Sequence, residues 1–314
     1  MNLRIGSRGS QLALWQANHI AALLRAKGHT VEIQIIKTTG DRLQEITFAQ
    51  VGSKGMFTKE IEEALIEGKV DLAVHSLKDL PTELPEGFAL AATPSRVDPR
   101  DVFVSEHFSS LKSLPAGAKV GTSSQRRRAQ LKALRPDIVA VEFRGNVDTR
   151  LRKLAEGQVD ATVLAAAGLD RLEKAEWVRE RLEPEHFCPA AGQGSLGIET
   201  RHGDELTIAA LAFLDDSATR FAVTTERAAL AALGGGCQVP IGLHCRPCRD
   251  QELTWTCDEV FAVVADPETG NVVRVYHRAP RGEGGPEALG KLTAQMLLDA
   301  GAGPLLAATG GAVK

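Results

Sequence analysis

Strand-like and helix-like runs alternate along this chain, and the alternation starts twice. LRIGS (3–7) reads as a short strand, and it leads into SQLALWQANHIAALLRAKG (10–28), whose apolar residues recur at helical spacing. Ser10 is placed to cap that helix and Gly28 to end it. VEIQIIKTT (31–39) is a second strand, TKEIEEALIEG (58–68) a helix and VDLAVHS (70–76) a strand. The rhythm breaks at the proline-bearing stretches LPTELPEG (80–87) and TPSRVDPRD (93–101). It restarts with KVGTSS (119–124) running into the helix QRRRAQLKALR, then DIVAVEF, NVDTRLRKLAEG and DATVLAAAGLDRL. Strands separated by helices require crossovers, so each series predicts a parallel or mixed sheet. EPEHFCPAAGQGSLGIE (183–199) is a second glycine-rich crossing, which returns the chain to the first lobe. From about 215 follow a helix (TRFAVTTERAALAALG), the β-rich runs ELTWTC, VFAVVAD and NVVRVYHR, and a closing helix, PEALGKLTAQMLLDAG.

The expected organisation is α/β: lobe 1 from 1–95 with 194–213, lobe 2 from 99–190, and a smaller α+β domain from 215–314. Two α/β lobes joined by two crossings describe a clamshell. Ligands of open α/β sheets sit beyond the carboxyl ends of the strands, so the chemistry is expected there.

Composition narrows the function classes. A net charge of −3 gives no global attraction to nucleic acid or anionic membrane, and 4% aromatic residues leave no platform for stacked bases. No apolar run approaches the roughly 18–20 residues of a spanning helix. MNLRIGSRGSQLALW lacks the basic-then-apolar pattern of a secretory signal. Five cysteines, an odd number spread over 314 residues, do not read as a disulfide framework. A cytoplasmic protein with reduced thiols is expected.

Against that acidic background, 12 Lys and Arg face 7 Asp and Glu between Lys119 and Lys174. Arg126, Arg127 and Arg128 follow VGTSS, where Ser123, Ser124 and a helix N-terminus converge into an anion-binding geometry. Arg144 ends the next strand in EFRGN, Arg150 and Arg152 lie on the following helix, and Arg171 closes AAAGLDR. Arg128, Arg135 and Arg152 fit a solvated helix face. For Arg126, Arg127, Arg144, Arg150 and Arg171 the repeated position after strands points to a ligand, and arginine favours planar carboxylates. In the first lobe, Arg8 and Ser10 sit at a strand–helix junction, and Lys54 stands between two glycines in VGSKGMFTKE. VHSLKDLP places Lys78 and Asp79 directly after a strand. A carboxylate there suits a developing cation or a proton transfer; helix capping or pairing with Lys78 is the structural alternative. ALGGGCQVPIG (232–242) presents Cys237 on a glycine-rich, sterically open backbone.

Taken together, SRGSQLALWQA, VGSKGMFTKE, DLAVHSLKDLP, DPRDVFV, VGTSSQRRR, RGNVDTRL, AAAGLDRL, PAAGQGSLGIE and GGCQVPIG, in this order from residue 3 to about 242, resemble the porphobilinogen deaminase (hydroxymethylbilane synthase) family. The resemblance implies two periplasmic-binding-protein-like α/β lobes and a small C-terminal domain. It implies a transferase that joins four porphobilinogen molecules head to tail into a linear tetrapyrrole, losing four ammonias, in porphyrin and haem-type biosynthesis. It also implies a dipyrromethane cofactor held by a thioether to Cys237, so that this thiol is an anchor and not a catalytic nucleophile. By the same resemblance Arg8, Arg126, Arg127, Arg144, Arg150 and Arg171 hold the acetate and propionate arms, with Ser10, Lys54, Lys78, Ser123 and Ser124 assisting. Asp79 stabilises the azafulvene cation formed on deamination. Family members need no metal; a monomer is expected, with porphobilinogen as its substrate and no nucleic-acid or membrane partner.

Two positions depart from the family: Gln50, where lysine is frequent, and Gly235, where an acidic or longer residue is more usual and whose presence is expected to loosen the loop. HCRPC (244–248) with Cys257 is no family motif; its ligand types suit zinc, but the second C-x-x-C is missing. Cys188 is expected to be a packed thiol. Rival readings are a clamshell receptor for a polyanion and a thiol enzyme pairing Cys237 with His75 or His244. His75, on a buried strand, is expected to be a satisfied core histidine.

Overall fold

The computed structural model describes residues 1–38, 58–235, 239–249, 256–280 and 284–308. Two compact units emerge. One comprises Met1–Val97, Arg171–Glu173 and Ser195–Arg220; the other comprises Asp98–Asp170, Lys174–Gly194 and Phe221–Lys314.

The first unit is built on a five-stranded mixed sheet of strands β1 (Asn2–Ser7), β2 (Thr30–Ile35), β3 (Leu72–Ser76), β4 (Phe88–Ala92) and β10 (Leu196–Arg201). Their order is β2-β1-β3-β10-β4, with β1 parallel to β2 and β3, and β10 antiparallel to both its neighbours. Alternation sends Leu3, Ile5, Leu72 and Val74 to one face, where they pack on Ala17, Ile20 and Leu24 of the helix Gln11–Ala26. Ala73 joins Ile61 and Leu65 of the helix Lys59–Ile66 in a second core. Ser10 is the N-cap, accepting from the Ala13 N–H, and Gly28 adopts φ +86°, so both helix-end signals act as expected.

The second unit repeats the plan. Strands β5 (Asp101–Val104), β6 (Lys119–Gly121), β7 (Val139–Val141), β8 (Ala161–Ala165) and β9 (Val178–Leu182) run in the order β7-β6-β8-β5-β9. β6 is parallel to β7 and β8, while β5 is antiparallel to β8 and β9. In both sheets the antiparallel strand in fourth place is the one that follows a crossing. Pattern alone does not reveal β4, β5 and β9, because each has only four or five residues and none is followed by a helix of its own.

The remainder of this unit is a three-stranded antiparallel meander of β11 (Ile241–Arg249), β12 (Thr256–Ala265) and β13 (Val272–Pro280). Leu243, Ala262 and Val264 form a core with Ala229 of the helix Ser217–Ala232, with Leu233 just after it, and with Ala294 and Leu297 of the helix Gly285–Asp299. The fold class is thus α/β with mixed sheets plus a C-terminal α+β portion. One strand here, IGLHCRPCR, is hidden in sequence by Pro247, which an edge strand tolerates because its missing N–H faces no ladder partner. The described part of ELTWTC and all of VFAVVA form one continuous strand instead of two.

The expectation of five reduced thiols is overturned for two of them. Cys248 and Cys257 are direct cross-strand partners, with Cα atoms 5.1 Å apart, and are joined as a disulfide. Strand register decides such a pairing, and spacing along the chain does not display it. Cys245 and Cys248, three apart on one strand, face opposite sides of the sheet. Cys188 is buried as expected: its thiol donates to the Phe261 carbonyl at 3.4 Å, and burial pushes its ionisation well above the ordinary thiol range.

Candidate functional site

In the first unit, β1 and β3 are parallel neighbours, so both deliver their next residues at the carboxyl edge of the sheet. Arg8 and Ser10 follow β1. After β3 the chain makes a 3-10 turn, Leu77–Asp79, held from several sides. The Leu77 N–H donates to the Ser195 carbonyl at 3.0 Å, and Gln16 Nε2 donates to Ser76 Oγ at 2.8 Å. His75 Nε2 lies 2.9 Å from Glu199 Oε2, both buried, which makes His75 the satisfied core histidine expected. Leu77 and Leu80 are buried on either side of the pair Lys78–Asp79. Asp79 itself is exposed and has no hydrogen bond or ion pair among the described residues. Its carboxylate is therefore used neither for capping nor for pairing with Lys78.

In the second unit, β6 leads into Ser123 and Ser124. Ser124 caps the helix Gln125–Leu134 by accepting from the Arg127 N–H at 3.4 Å, and Ser123 Oγ accepts from the Phe143 N–H at 3.3 Å. Arg126 and Arg127 are buried around one internal carboxylate. Arg126 Nη1 donates to Asp101 Oδ2 at 2.7 Å and to the Cys188 carbonyl at 2.6 Å, while Arg127 Nη2 donates to Asp101 Oδ1 at 2.7 Å. Gln193 Nε2 adds a bond to Asp101 at 3.0 Å. Sequence assigns these two arginines to a ligand; in the fold they also hold the start of β5 in place. Arg128, Arg135 and Arg152 pair with Glu142, Asp137 and Glu156 respectively, as their helix-face positions suggested.

Asp101 is fully buried, and despite the opposing cost of burial its two arginines hold its carboxyl well below the usual carboxylate range. Stability from a depressed carboxyl is present above the unfolded value of about 3.9 and is lost as pH falls toward the native value. Asp101→Asn is expected to cost about 3–5 kcal/mol by leaving two buried guanidinium groups without their counter-charge. Urea midpoints measured from pH 7 down to 3 check this: the gap between wild type and variant is largest near neutrality and narrows as pH falls below 4.

Arg144 follows β7 and pairs with Glu142 at 2.5 Å. Arg150, on the helix Val147–Ala155, behaves differently. Burial first, then the charges of Arg127 and Arg144, bring its pKa down to about 10 against the opposing pull of Glu142, and its Nε is buried without a hydrogen-bond partner among the described residues. A guanidinium crowded by two others is a site short of negative charge. Arg171 closes the helix Ala166–Arg171 and groups with the first unit, where it is buried with its guanidinium 5.9 Å from the Trp15 ring.

Lys54, Gln50 and Cys237 lie outside the described residues. The flanks of Cys237 are described. Gly234 has φ +65°, and the Gly235 N–H donates to the Leu230 carbonyl at 2.9 Å, closing the helix Ser217–Ala232. A Cβ at Gly235 would lie 2.6 Å from Leu230 Cδ1 and 2.8 Å from Ile241 Cδ1, so the glycine lets the chain pass close to both side chains; the loop it was expected to loosen lies outside the described residues. His244, like His75, is buried, with Nδ1 3.5 Å from Glu226. Among the described residues no helix is long and apolar enough to cross a membrane. Sequence inspection missed Asp101 and Glu199; the available signal was an acidic residue inside the apolar runs DVFV and LGIET, which burial obliges to be partnered.

Residues 3–209 match the family profile described as "Porphobilinogen deaminase, dipyromethane cofactor binding domain", and residues 220–299 match "Porphobilinogen deaminase, C-terminal domain". A porphobilinogen deaminase of Nitratidesulfovibrio vulgaris is 48% identical over 313 residues, covering 97% of this chain and 96% of that protein. One of Roseiflexus castenholzii is 48% identical over 308 residues, covering 98% and 99%. Among solved structures, the methionine-binding protein MetQ aligns over 68% of this chain and 89% of its own, at 13% identity and a TM-score of 0.45.

Proposed function

The chain belongs to the porphobilinogen deaminase family, and from that premise we propose how its residues divide the work. It joins four porphobilinogen molecules head to tail into the linear tetrapyrrole hydroxymethylbilane, releasing four ammonias, and it does so on a dipyrromethane cofactor. Each pyrrole carries an acetate and a propionate, so every added unit brings two more negative charges. When bound, the dipyrromethane supplies the free α-carbon of a terminal pyrrole as the nucleophile.

The observation that carries this division of labour is the guanidinium of Arg150, crowded by Arg127 and Arg144 and with its Nε buried and unpartnered. Such a cluster fits a carboxylate-bearing group, whose charge relieves the mutual repulsion and whose planar oxygens match the guanidinium forks. Arg127, Arg144 and Arg150 would hold the cofactor's carboxylates, with the hydroxyls of Ser123 and Ser124 at the same strand end. Arg126 and Arg127 share Asp101, and each also donates to a backbone carbonyl, that of Cys188 and that of Val163; the remaining N–H groups of both join the carboxylate contacts. Arg8, Ser10, Lys54, Lys78 and Arg171 receive the arms of incoming pyrroles. Cys237 is the thioether anchor, on the segment between the helix Ser217–Ala232 and β11. Asp79 offsets the positive charge that spreads into the substrate's ring as ammonia departs, and accepts the ring α-proton displaced when the new carbon–carbon bond forms. We place the protein in the cytoplasm as a monomer, with lobes 1–95 plus 194–213 and 99–190 and a third domain from 215.

Arg150→Gln separates this role from a structural one. Removing a buried, crowded cation leaves thermal stability unchanged or raised, whereas turnover falls by about 10- to 100-fold through loss of a charge-assisted contact. Melting curves and steady-state tetrapyrrole formation test both halves. Near-normal turnover would remove Arg150 from the carboxylate site.

A further inference from the structure

The face of the C-terminal meander turned away from the helices Ser217–Ala232 and Gly285–Asp299 packs Phe261 and Val263 on Ala129 and Cys188, and beside them holds a second concentration of arginine outside the roles assigned above. Along β13, alternate residues Arg274, Tyr276 and Arg278 lie opposite Val263, Phe261 and Glu259 of β12, and Arg246 of β11 lies opposite Glu259. Arg246, Glu259, Phe261, Arg274, Tyr276 and Arg278, with the chain around Glu185, line a cavity of about 550 Å³. That size lies within the range of small-molecule pockets.

Its wall is aromatic and cationic at once. The Phe261 and Tyr276 rings are 4.9 Å apart at 31°. The Arg246 guanidinium lies 5.0 Å from the centre of the Phe261 ring, and that of Arg278 lies 5.7 Å from Tyr276. Arg246 is braced between Glu185 at 3.0 Å and Glu259 at 2.5 Å, and Glu259 also accepts from the Tyr276 hydroxyl at 3.0 Å. These bonds fix the arginine forks and the rings in place. Arg274 is different: it donates to the His186 carbonyl at 2.9 Å, which satisfies a donor without cancelling the charge, and no carboxylate pairs with it among the described residues. Among the described lining residues, three arginines against two glutamates leave a positive excess. Tyr276 is 49% exposed, so part of its ring, beside Arg278, is accessible to a ligand.

We propose that this cavity is a second ligand site for a planar ring bearing carboxylates, whose ring stacks on Tyr276 and whose carboxylate pairs with Arg274. A cation is disfavoured by the three arginines, and an inorganic anion leaves the aromatic wall unused. Both the enzyme's own pyrroles and unrelated aromatic acids have this chemistry.

Tyr276 is the single tyrosine of the chain, so the full-length holoenzyme labelled with 3-fluorotyrosine gives one fluorine resonance, located in the cavity. Benzene-1,3,5-tricarboxylate is expected to shift it saturably. Cyclohexane-1,3,5-tricarboxylate and inorganic phosphate, which lack the π-face, are expected to act much more weakly. Arg274→Gln, on an exposed edge strand, is expected to raise the apparent Kd about tenfold while turnover of porphobilinogen is unchanged. Absence of a saturable shift, equal response to the cyclohexane compound, or an unaltered Kd in Arg274→Gln overturns the proposal. Displacement of the aromatic probe by porphobilinogen in the slow variant Asp79→Ala would identify the enzyme's own pyrroles as occupants. Turnover is read separately, so failure of the site and failure of the polymerase assignment are distinct results.

Discussion

Cys237→Ser is expected to abolish tetrapyrrole formation and to remove from the intact protein a mass excess of two pyrrole units that the wild type carries. A serine hydroxyl has the size to occupy the position but is a far weaker nucleophile than a thiolate, so the thioether does not form. Without the tether the first pyrrole has nothing to extend, and a loss at the anchor becomes a loss of the whole reaction. Of the segment that carries Cys237, the described flanks are the helix Ser217–Ala232, closed at Gly234 and Gly235, and β11 from Ile241. Intact-mass spectrometry with a turnover assay decides the matter. An unmodified wild-type protein with full activity would refute the anchoring role, and with it the polymerase mechanism.

Asp79→Ala is expected to leave that mass excess in place while kcat falls by about 10²- to 10³-fold, the usual effect of losing a single charge-stabilising or proton-transferring group. Asp79→Asn should fall nearly as far, because it keeps the shape and loses the charge. The fold is expected to survive both changes. Asp79 is exposed and bonds nothing among the described residues, whereas the turn that carries it is held by Leu77, Leu80 and the Gln16–Ser76 bond. Equal melting temperatures together with slow turnover would place Asp79 in the chemistry. Near-normal tetrapyrrole formation would remove it.

The contrast between Asp79 and Asp101 shows what kind of information each level of structure holds. Both aspartates adjoin strands and both have basic neighbours in sequence. Asp79 has no partner among the described residues, and Asp101 is fully buried between Arg126 and Arg127. A site carboxylate left open to its ligand keeps its motif legible, because its role depends on local placement at a strand end. A buried carboxylate is defined by residues 25 and 26 positions away, and only packing brings them together.

The cysteines divide in the same way. Glycines around Cys237 mark conformational freedom in the sequence itself, since that freedom is a property of the residues. Cys248 and Cys257 flank a hairpin, and their pairing follows from a strand register that a one-residue slip would abolish.

By itself, the sequence determined the repeated strand–helix order, the residues delivered at the strand ends, and the family, because each of these is written in consecutive residues. Tertiary structure alone decided the antiparallel fourth strand of each sheet, the commitment of Arg126 to Asp101, the crowding that leaves Arg150 short of negative charge, and the arginine-lined cavity on the meander. Those depend on distances between segments far apart in the chain, which packing and hydrogen-bond register set and local pattern does not contain.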